Sequence, residues 1–230
     1  MNVAGWMQVA VFSLLVLAVT KPLGLYLVKL YGGTLHVPGI AEVERAIWRV
    51  SGVDPAEDQH WTRYATGVLV FSAVSMLLTY AVLRLQALLP LNPDGLGAVP
   101  DRQAFETSAS FTTNTNWQSY AGEATMSHLS QMWQLAFHNF VSAATGMGVA
   151  LALVRGIARR SPGRIGNFWV DLVRGTLYLF LPLSFIIALV LVQQGAIQNF
   201  SPTVELTTLE GATQQLAMGP VASQEAIKQL

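Results

Sequence analysis

Cysteine is absent from this 230-residue chain, and charge is scarce, at 11% of residues. The first absence excludes disulfides, thiolate metal sites and cysteine nucleophiles, and says nothing about the redox compartment. The 13 basic and 13 acidic residues cancel, which excludes the broad basic surface of a nucleic-acid-binding protein. No phosphate-cradling glycine loop ending in Lys-Ser/Thr occurs, so any ATP chemistry would belong to a partner. His36, His60 and His128 are scattered and match no metal spacing. No cleavable leader is expected either, because Lys21 and Lys29 follow the first apolar stretch instead of preceding it. That stretch reads as a retained helix.

What is present is apolar. Hydrophobic residues make up 52% of the chain, whereas soluble domains typically carry about 25% charge. An all-α integral membrane protein follows. Four segments reach the ~20 residues needed to span a bilayer: Val3 to Thr20, with an amphipathic continuation toward Tyr31, then Tyr64 to Leu83, Leu129 to Val154 and Phe168 to Val192. The loops between them differ in charge. Lys21, Lys29, Arg45, Arg49 and Arg63 lie between the first two spans; Arg155, Arg159, Arg160 and Arg164 lie between the last two, with Arg174 just inside the fourth. The stretch from Leu85 to His128 holds one arginine, Arg102, against Asp94, Asp101, Glu106 and Glu123. The positive-inside rule then places both basic loops in the cytoplasm, and the amino terminus and the 85–128 loop outside.

Within the first basic loop, Val37-Pro38-Gly39-Ile40 followed by Glu42, Glu44, Arg45 and Arg49 predicts a turn and a short amphipathic helix at the membrane surface. It reads either as packing or as contact with a partner subunit. The outer loop is more informative. Pro100 and Asp101 predict a helix start, and the helix would run to Phe111, rising ~16 Å, about half the hydrocarbon thickness. After it comes Phe111-Thr112-Thr113-Asn114-Thr115-Asn116-Trp117-Gln118-Ser119-Tyr120, a mostly polar run flanked by aromatics. If the helix dips in from outside, its carboxyl end presents partial negative charge to a cation. Thr113, Asn114, Thr115 and Asn116 would then run extended with their carbonyls toward an ion path, as in potassium filters. The competing reading is a surface turn capping the third span. The order of span and short outer helix recurs after the fourth span, where Gly219-Pro220 opens a second short helix reaching Lys228. Internal repeats of this kind are a building plan of transport proteins.

Other candidates are weaker. His138 and Ser142 share a helical face, a pairing that hydrolysis would need, but no acidic residue in the span orients the histidine. Asp171 and Arg174, three apart, predict an ion pair at the cytoplasmic boundary. Ala143, Ala144, Gly146 and Gly148 read as small residues that allow close helix approach.

The run Phe111–Tyr120, together with Gln193-Gln194-Gly195-Ala196-Ile197-Gln198-Asn199-Phe200 and Gly219-Pro220-Val221-Ala222-Ser223-Gln224-Glu225-Ala226-Ile227-Lys228, closely resembles the potassium-binding A subunit of the Kdp potassium-transporting P-type ATPase (KdpA family). Lys21-Pro22-Leu23-Gly24 and Leu89-Pro90-Leu91-Asn92-Pro93 also resemble it. The resemblance implies a multi-pass subunit of the bacterial inner membrane, built from four helix–pore loop–helix repeats and one extra amino-terminal helix. It further implies that periplasmic K+, the transported ion, enters a selectivity filter and passes to a catalytic P-type ATPase subunit (KdpB-like) that hydrolyses ATP. KdpC-like and KdpF-like accessory subunits complete the complex, with no bound organic cofactor and no nucleic acid. Thr113, Asn114, Thr115, Asn116 and Gln118 would form the first filter loop, or lie beside it. Family members are more than twice as long, so the expectation is an amino-terminal fragment. Residues 1–62 would be the extra helix and amphipathic segment, 63–157 the first repeat, and 158–230 the opening of the second. The remaining alternative is a secondary cation transporter, or a non-conducting scaffold subunit, with the polar loop as a lid.

Overall fold

The computed structural model describes residues 2–158 and 163–230; Arg159 and Arg160, counted above toward the second basic loop, lie outside the described residues. Four helices are long and apolar enough to cross a membrane: Val3–Tyr31, Trp61–Leu88, Ser130–Ala158 and Phe168–Gln193. Each expected span is present and runs past the carboxyl end of its apolar stretch, and the second also starts earlier, at Trp61. The chain is an all-α integral membrane protein with one small β-ribbon among the described residues.

The chain divides into two compact units, Met1–Ser51 and Gly52–Leu230. In the first, α1 (Val3–Tyr31) begins at Asn2, whose side chain accepts the Gly5 N–H at 2.9 Å. Such a cap satisfies one of the four free N–H groups of a first turn. α2 (Ile40–Ser51) follows a turn in which Gly39 takes φ +83°, a conformation that disfavours any residue with a Cβ. Thus the amphipathic helix after Val37-Pro38-Gly39 is present as expected.

The second unit is a three-helix bundle of α3 (Trp61–Leu85, prolonged by a tight turn to Leu88), α5 (Ser130–Ala158) and α6 (Phe168–Gln193), with two short helices folded back onto it. α4 (Asp101–Thr112) packs chiefly against α3, and α7 (Val221–Lys228) against α6 and the start of α5. A span followed by a short helix lying against it therefore occurs twice. Between α6 and α7 the chain forms an antiparallel ribbon, β1 (Val204–Thr207) with β2 (Thr213–Leu216), turned at Gly211 with φ +81°. Outward-facing Leu69, Leu77 and Leu153 are each about two-thirds exposed, as expected of side chains that meet lipid instead of a protein core.

Both α5 and α6 contain a wide, π-helical stretch, Ser130–Ala136 and Gly175–Phe180. The second has a covalent cause. Pro182 lacks an N–H and its ring would crowd the carbonyl four residues back, Tyr178, so widening the preceding turn relieves the clash. The first stretch contains no proline; it carries Gln131 and Gln134, both buried.

Opposite the α4 and α7 end, the bundle is tied by polar contacts. The Gln59 N–H donates to Gly166 O (2.7 Å) and the Trp61 N–H to Gly163 O (2.7 Å). The Gly166 N–H donates to Asp58 Oδ1 (2.7 Å), and Gln59 Oε1 accepts the Phe168 N–H (3.1 Å). Asp171, 2% exposed, lies against Arg155, whose two terminal nitrogens donate to its two oxygens at 2.5 and 2.9 Å. Tyr64 Oη bridges Gly148 O (2.7 Å) and Asp171 Oδ2 (3.0 Å). Asp171 thus has a strong partner on another helix, in addition to its neighbour by spacing, Arg174. Gly148, read as a small packing residue, is where this happens: a Cβ there would stand 2.9 Å from Tyr64 Oη.

Candidate functional site

α4 forms where the sequence predicted and for the predicted reasons. Pro100 precedes it, Asp101 occupies the first turn, and Arg102 pairs with Glu106 one turn on at 2.9 Å. Glu106 raises the already high pKa of Arg102 through that bond. One face is buried: Ala104, Thr107, Ser108 and Phe111. Ala104 and Phe111 join Leu83, Val99, Met126 and Leu135, with Tyr80 and Tyr120 packed alongside. This cluster wedges a twelve-residue helix, about 18 Å long by rise, against α3 and α5.

How α4 ends decides the shape of the polar run. The Thr115 N–H donates to Ser110 O (2.9 Å) and the Asn114 N–H to Phe111 O (3.2 Å). With Asn114 at φ +56°, this is a Schellman cap, in which a left-handed residue lets two loop amides satisfy orphan helix carbonyls. Asparagine is the usual non-glycine occupant of such a site. Asn116 is left-handed as well, at φ +56°, and its N–H also reaches Ser110 O (3.3 Å). The expected extended run is therefore replaced by a coiled one. Left-handed turns at two asparagines fold it onto its own helix, because the helix carbonyls need partners there.

Ser110 fixes the far side of the loop: its hydroxyl donates to Trp117 O (3.0 Å) and accepts the Trp117 N–H (2.7 Å). The Thr113 and Thr115 hydroxyls lie 2.9 Å apart. Asn114 Oδ1 accepts from Ser142 Oγ at 3.0 Å. Ser142 is the thirteenth residue of the 29-residue α5 (142 − 130 + 1), so the loop touches the middle of a spanning helix rather than its end.

The most informative feature of the loop is its set of backbone carbonyls. Loop amides consume the Ala109, Ser110 and Phe111 carbonyls. Among the described residues, no hydrogen bond goes to the carbonyls of Thr113, Asn114, Thr115 or Asn116. Four successive backbone acceptors thus stand open directly beyond the negative end of a helix dipole. Asn116 Oδ1 is buried and also without a partner. Oxygen-only donors of this kind suit a hard, weakly polarising cation.

Gln118 has a different setting. Its Oε1 accepts from Lys228 Nζ of α7 at 3.0 Å, and its Nε2 faces Tyr120 Oη at 3.4 Å. Burial pushes the Tyr120 phenol above its usual pKa, with hydrogen bonds from Gln118 and Thr107 opposing the shift. Of the five residues singled out from the sequence, Thr113 to Asn116 are thus gathered at the end of α4, whereas Gln118 is engaged by α7.

Three supporting residues carried no local signal. Gln86, 1% exposed, donates to Gly97 O (2.7 Å) and Thr125 O (3.0 Å), and accepts from the Ser127 N–H (3.1 Å) and Ser130 Oγ (3.0 Å). All four valences of one amide join the segments on either side of the loop. Ser142 and Lys228 act over 28 and 110 residues. The hydrolytic pairing does not form: Ser142 Oγ donates to His138 O and Asn114, while the His138 ring contacts Thr79 Oγ1 at 3.0 Å. Among the described residues no cluster of three acidic or histidine ligands exists that would hold a tightly bound metal.

Residues 10–230 match the family described as Potassium-transporting ATPase A subunit. Over its full length the chain is 56% identical to the potassium-transporting ATPase potassium-binding subunit of Rhodospirillum centenum, 54% to that of Granulibacter bethesdensis and 53% to that of Methylorubrum extorquens. It spans about two-fifths of the length of these relatives (40–41%). The chain belongs to the potassium-transporting ATPase A subunit family.

Proposed function

We propose that this chain is the amino-terminal part of a potassium-binding, channel-like subunit of an ATP-driven potassium importer, and that Thr113–Asn116 is its first filter loop. The observation that carries the reading is the row of four open carbonyls at mid-span, held by the Schellman cap and Ser142. Carbonyl oxygens can replace the hydration shell of K+, and the α4 dipole favours a cation at that point. One loop cannot enclose an ion, so the remaining ligands come from further loops. Residues 63–157 form one helix–loop–helix repeat, residues 158–230 open a second, and residues 1–62 precede both; the twice-used arrangement of span and short helix supports this division. With the basic loops inside, the filter loop faces the periplasm of the bacterial inner membrane. K+ enters there and passes to a P-type ATPase partner of the KdpB kind, with KdpC-like and KdpF-like subunits completing the complex.

The test is K+ uptake by the full-length subunit in its complex. Asn114→Asp adds a formal charge beside the open carbonyls, and Gln118→Arg sets a guanidinium against Lys228. Each is expected to change the apparent K+ affinity or the K+/Rb+ preference while uptake stays ATP-driven. Unchanged preference across these and further loop substitutions would sink the filter assignment. Uptake driven by a proton gradient without ATP would favour a secondary transporter instead.

A further inference from the structure

The contact between Gln118 and Lys228 joins the first loop to the second short helix. Lys228 Nζ donates to Gln118 Oε1 (3.0 Å) and to Glu225 Oε1 (3.1 Å), and its side chain is 21% exposed. Gln118 continues to Tyr120 Oη (3.4 Å), and Tyr120 to Thr107 of α4. A polar chain thus runs from α7 through the exit of the loop to α4. The other fixings of the loop come from Ser142 at its tip and from Ser110, whose hydroxyl holds the Trp117 backbone just before Gln118. At the exit, the charge-assisted bond from Lys228 is the strongest type of hydrogen bond on offer. Lys228 also sits in the last turn of α7, where a cation offsets the negative end of the dipole; α4 has no basic residue at the same place. The two short helices thus differ in their last turns: α7 carries a tethered ammonium there and α4 carries no basic residue.

We infer that Lys228 is a specificity-determining positioning residue: it holds Gln118, and through it the exit of the Thr113–Asn116 loop, so that the open carbonyls keep one spacing. This rests on the filter reading above. A loop loosened at its exit, with only Ser110 still holding Trp117 there, would adapt to ions of other size, losing discrimination and affinity together without affecting ATP hydrolysis on another subunit.

The experiment uses the full-length subunit in its complex, with Lys228→Met, Gln118→Leu, the double variant, and Lys228→Arg. The readouts are K+-stimulated ATP turnover and Rb+ competition. Lys228→Met is expected to raise the apparent KM for K+ by roughly five- to tenfold, in line with loss of one partly exposed charged hydrogen bond. The K+/Rb+ ratio falls, and the maximal rate moves less than about twofold. Gln118→Leu gives the same change, the double variant no more than either alone, and Lys228→Arg recovers most of it. Additive effects, or an unaltered ion ratio in both single variants, would overturn the inference. If Lys228→Met fails to assemble, Gln118→Leu leaves α7 and its Glu225 pair intact and decides on the same ratio. If the wild-type complex itself shows no ATP-driven K+ transport, the functional reading fails first, and this inference with it.

Discussion

Asn114 serves the loop twice, through its backbone and through its side chain. Its left-handed φ closes the cap on α4, and its amide oxygen meets Ser142 at the middle of α5. The two roles separate by substitution. Asn114→Gly keeps the conformation and loses only the side-chain bonds from Ser142 and Asn116, so the folded protein should hold close to its wild-type melting temperature. Asn114→Val must bear the left-handed penalty of about 1–2 kcal/mol, and thermal unfolding of the purified subunit should show the drop. Tyr120 offers a second residue-scale check. Its burial raises the phenol pKa, so the neutral ring is favoured in the folded state. That contribution is fully present below the unfolded value of about 10 and is lost as pH rises through the folded value. Absorbance titration should show a late-ionising tyrosine contribution in wild type that shrinks by one residue in Tyr120→Phe. The residue types here were legible: Thr-Asn alternation marked a polar turn with oxygen donors. Which carbonyls remain open was not, because the Schellman cap follows from how Ser110 and Phe111 find partners.

Among the elements, α4 and α7 were legible from Pro and acid at their starts, and the spans from their apolar length. The β-ribbon carries a weak signal: Val204–Thr207 alternates apolar and polar residues and Gly211 supplies a turn residue, but Thr213–Leu216 does not alternate. Of the two π-helical stretches, Pro182 marks one and no residue marks the other. The loop's frame depends most on Gln86, whose four hydrogen bonds span up to 44 residues; a lone glutamine at a helix end gives no hint of that in sequence. Gln86→Leu keeps the volume but strands the Ser127 amide and two carbonyls. Stranded buried polar groups each cost about 1–3 kcal/mol. Stability should therefore fall by at least about 2 kcal/mol, with the loop losing order first; hydrogen exchange at Met126–Ser130 is the measurement. Little change in exchange there would mean that α4 is held by its apolar face alone.

At the scale of the whole molecule, the bundle separates its polar ties from the candidate site. One end is locked by Arg155–Asp171, Tyr64 and the Gln59–Gly166 contacts; the loop with open carbonyls belongs to the other half. Breaking a buried pair by removing one partner costs about 3–5 kcal/mol, whereas replacing both by apolar residues is often neutral. Asp171→Leu should destabilise accordingly, and Arg155→Met with Asp171→Leu should regain most of the loss in thermal unfolding. The pairing of Asp171 with Arg155 was not legible, since spacing along one helix, as between Asp171 and Arg174, is visible in sequence and packing between helices is not. The central claim is that the carbonyls of Thr113–Asn116 await an ion. Its most direct measurement is anomalous scattering from Rb+ in the full-length complex. The account predicts a peak in coordination range of these four carbonyls, beyond the α4 terminus and level with Ser142. Protein donors bonded to those carbonyls, with the ion found elsewhere, would contradict it.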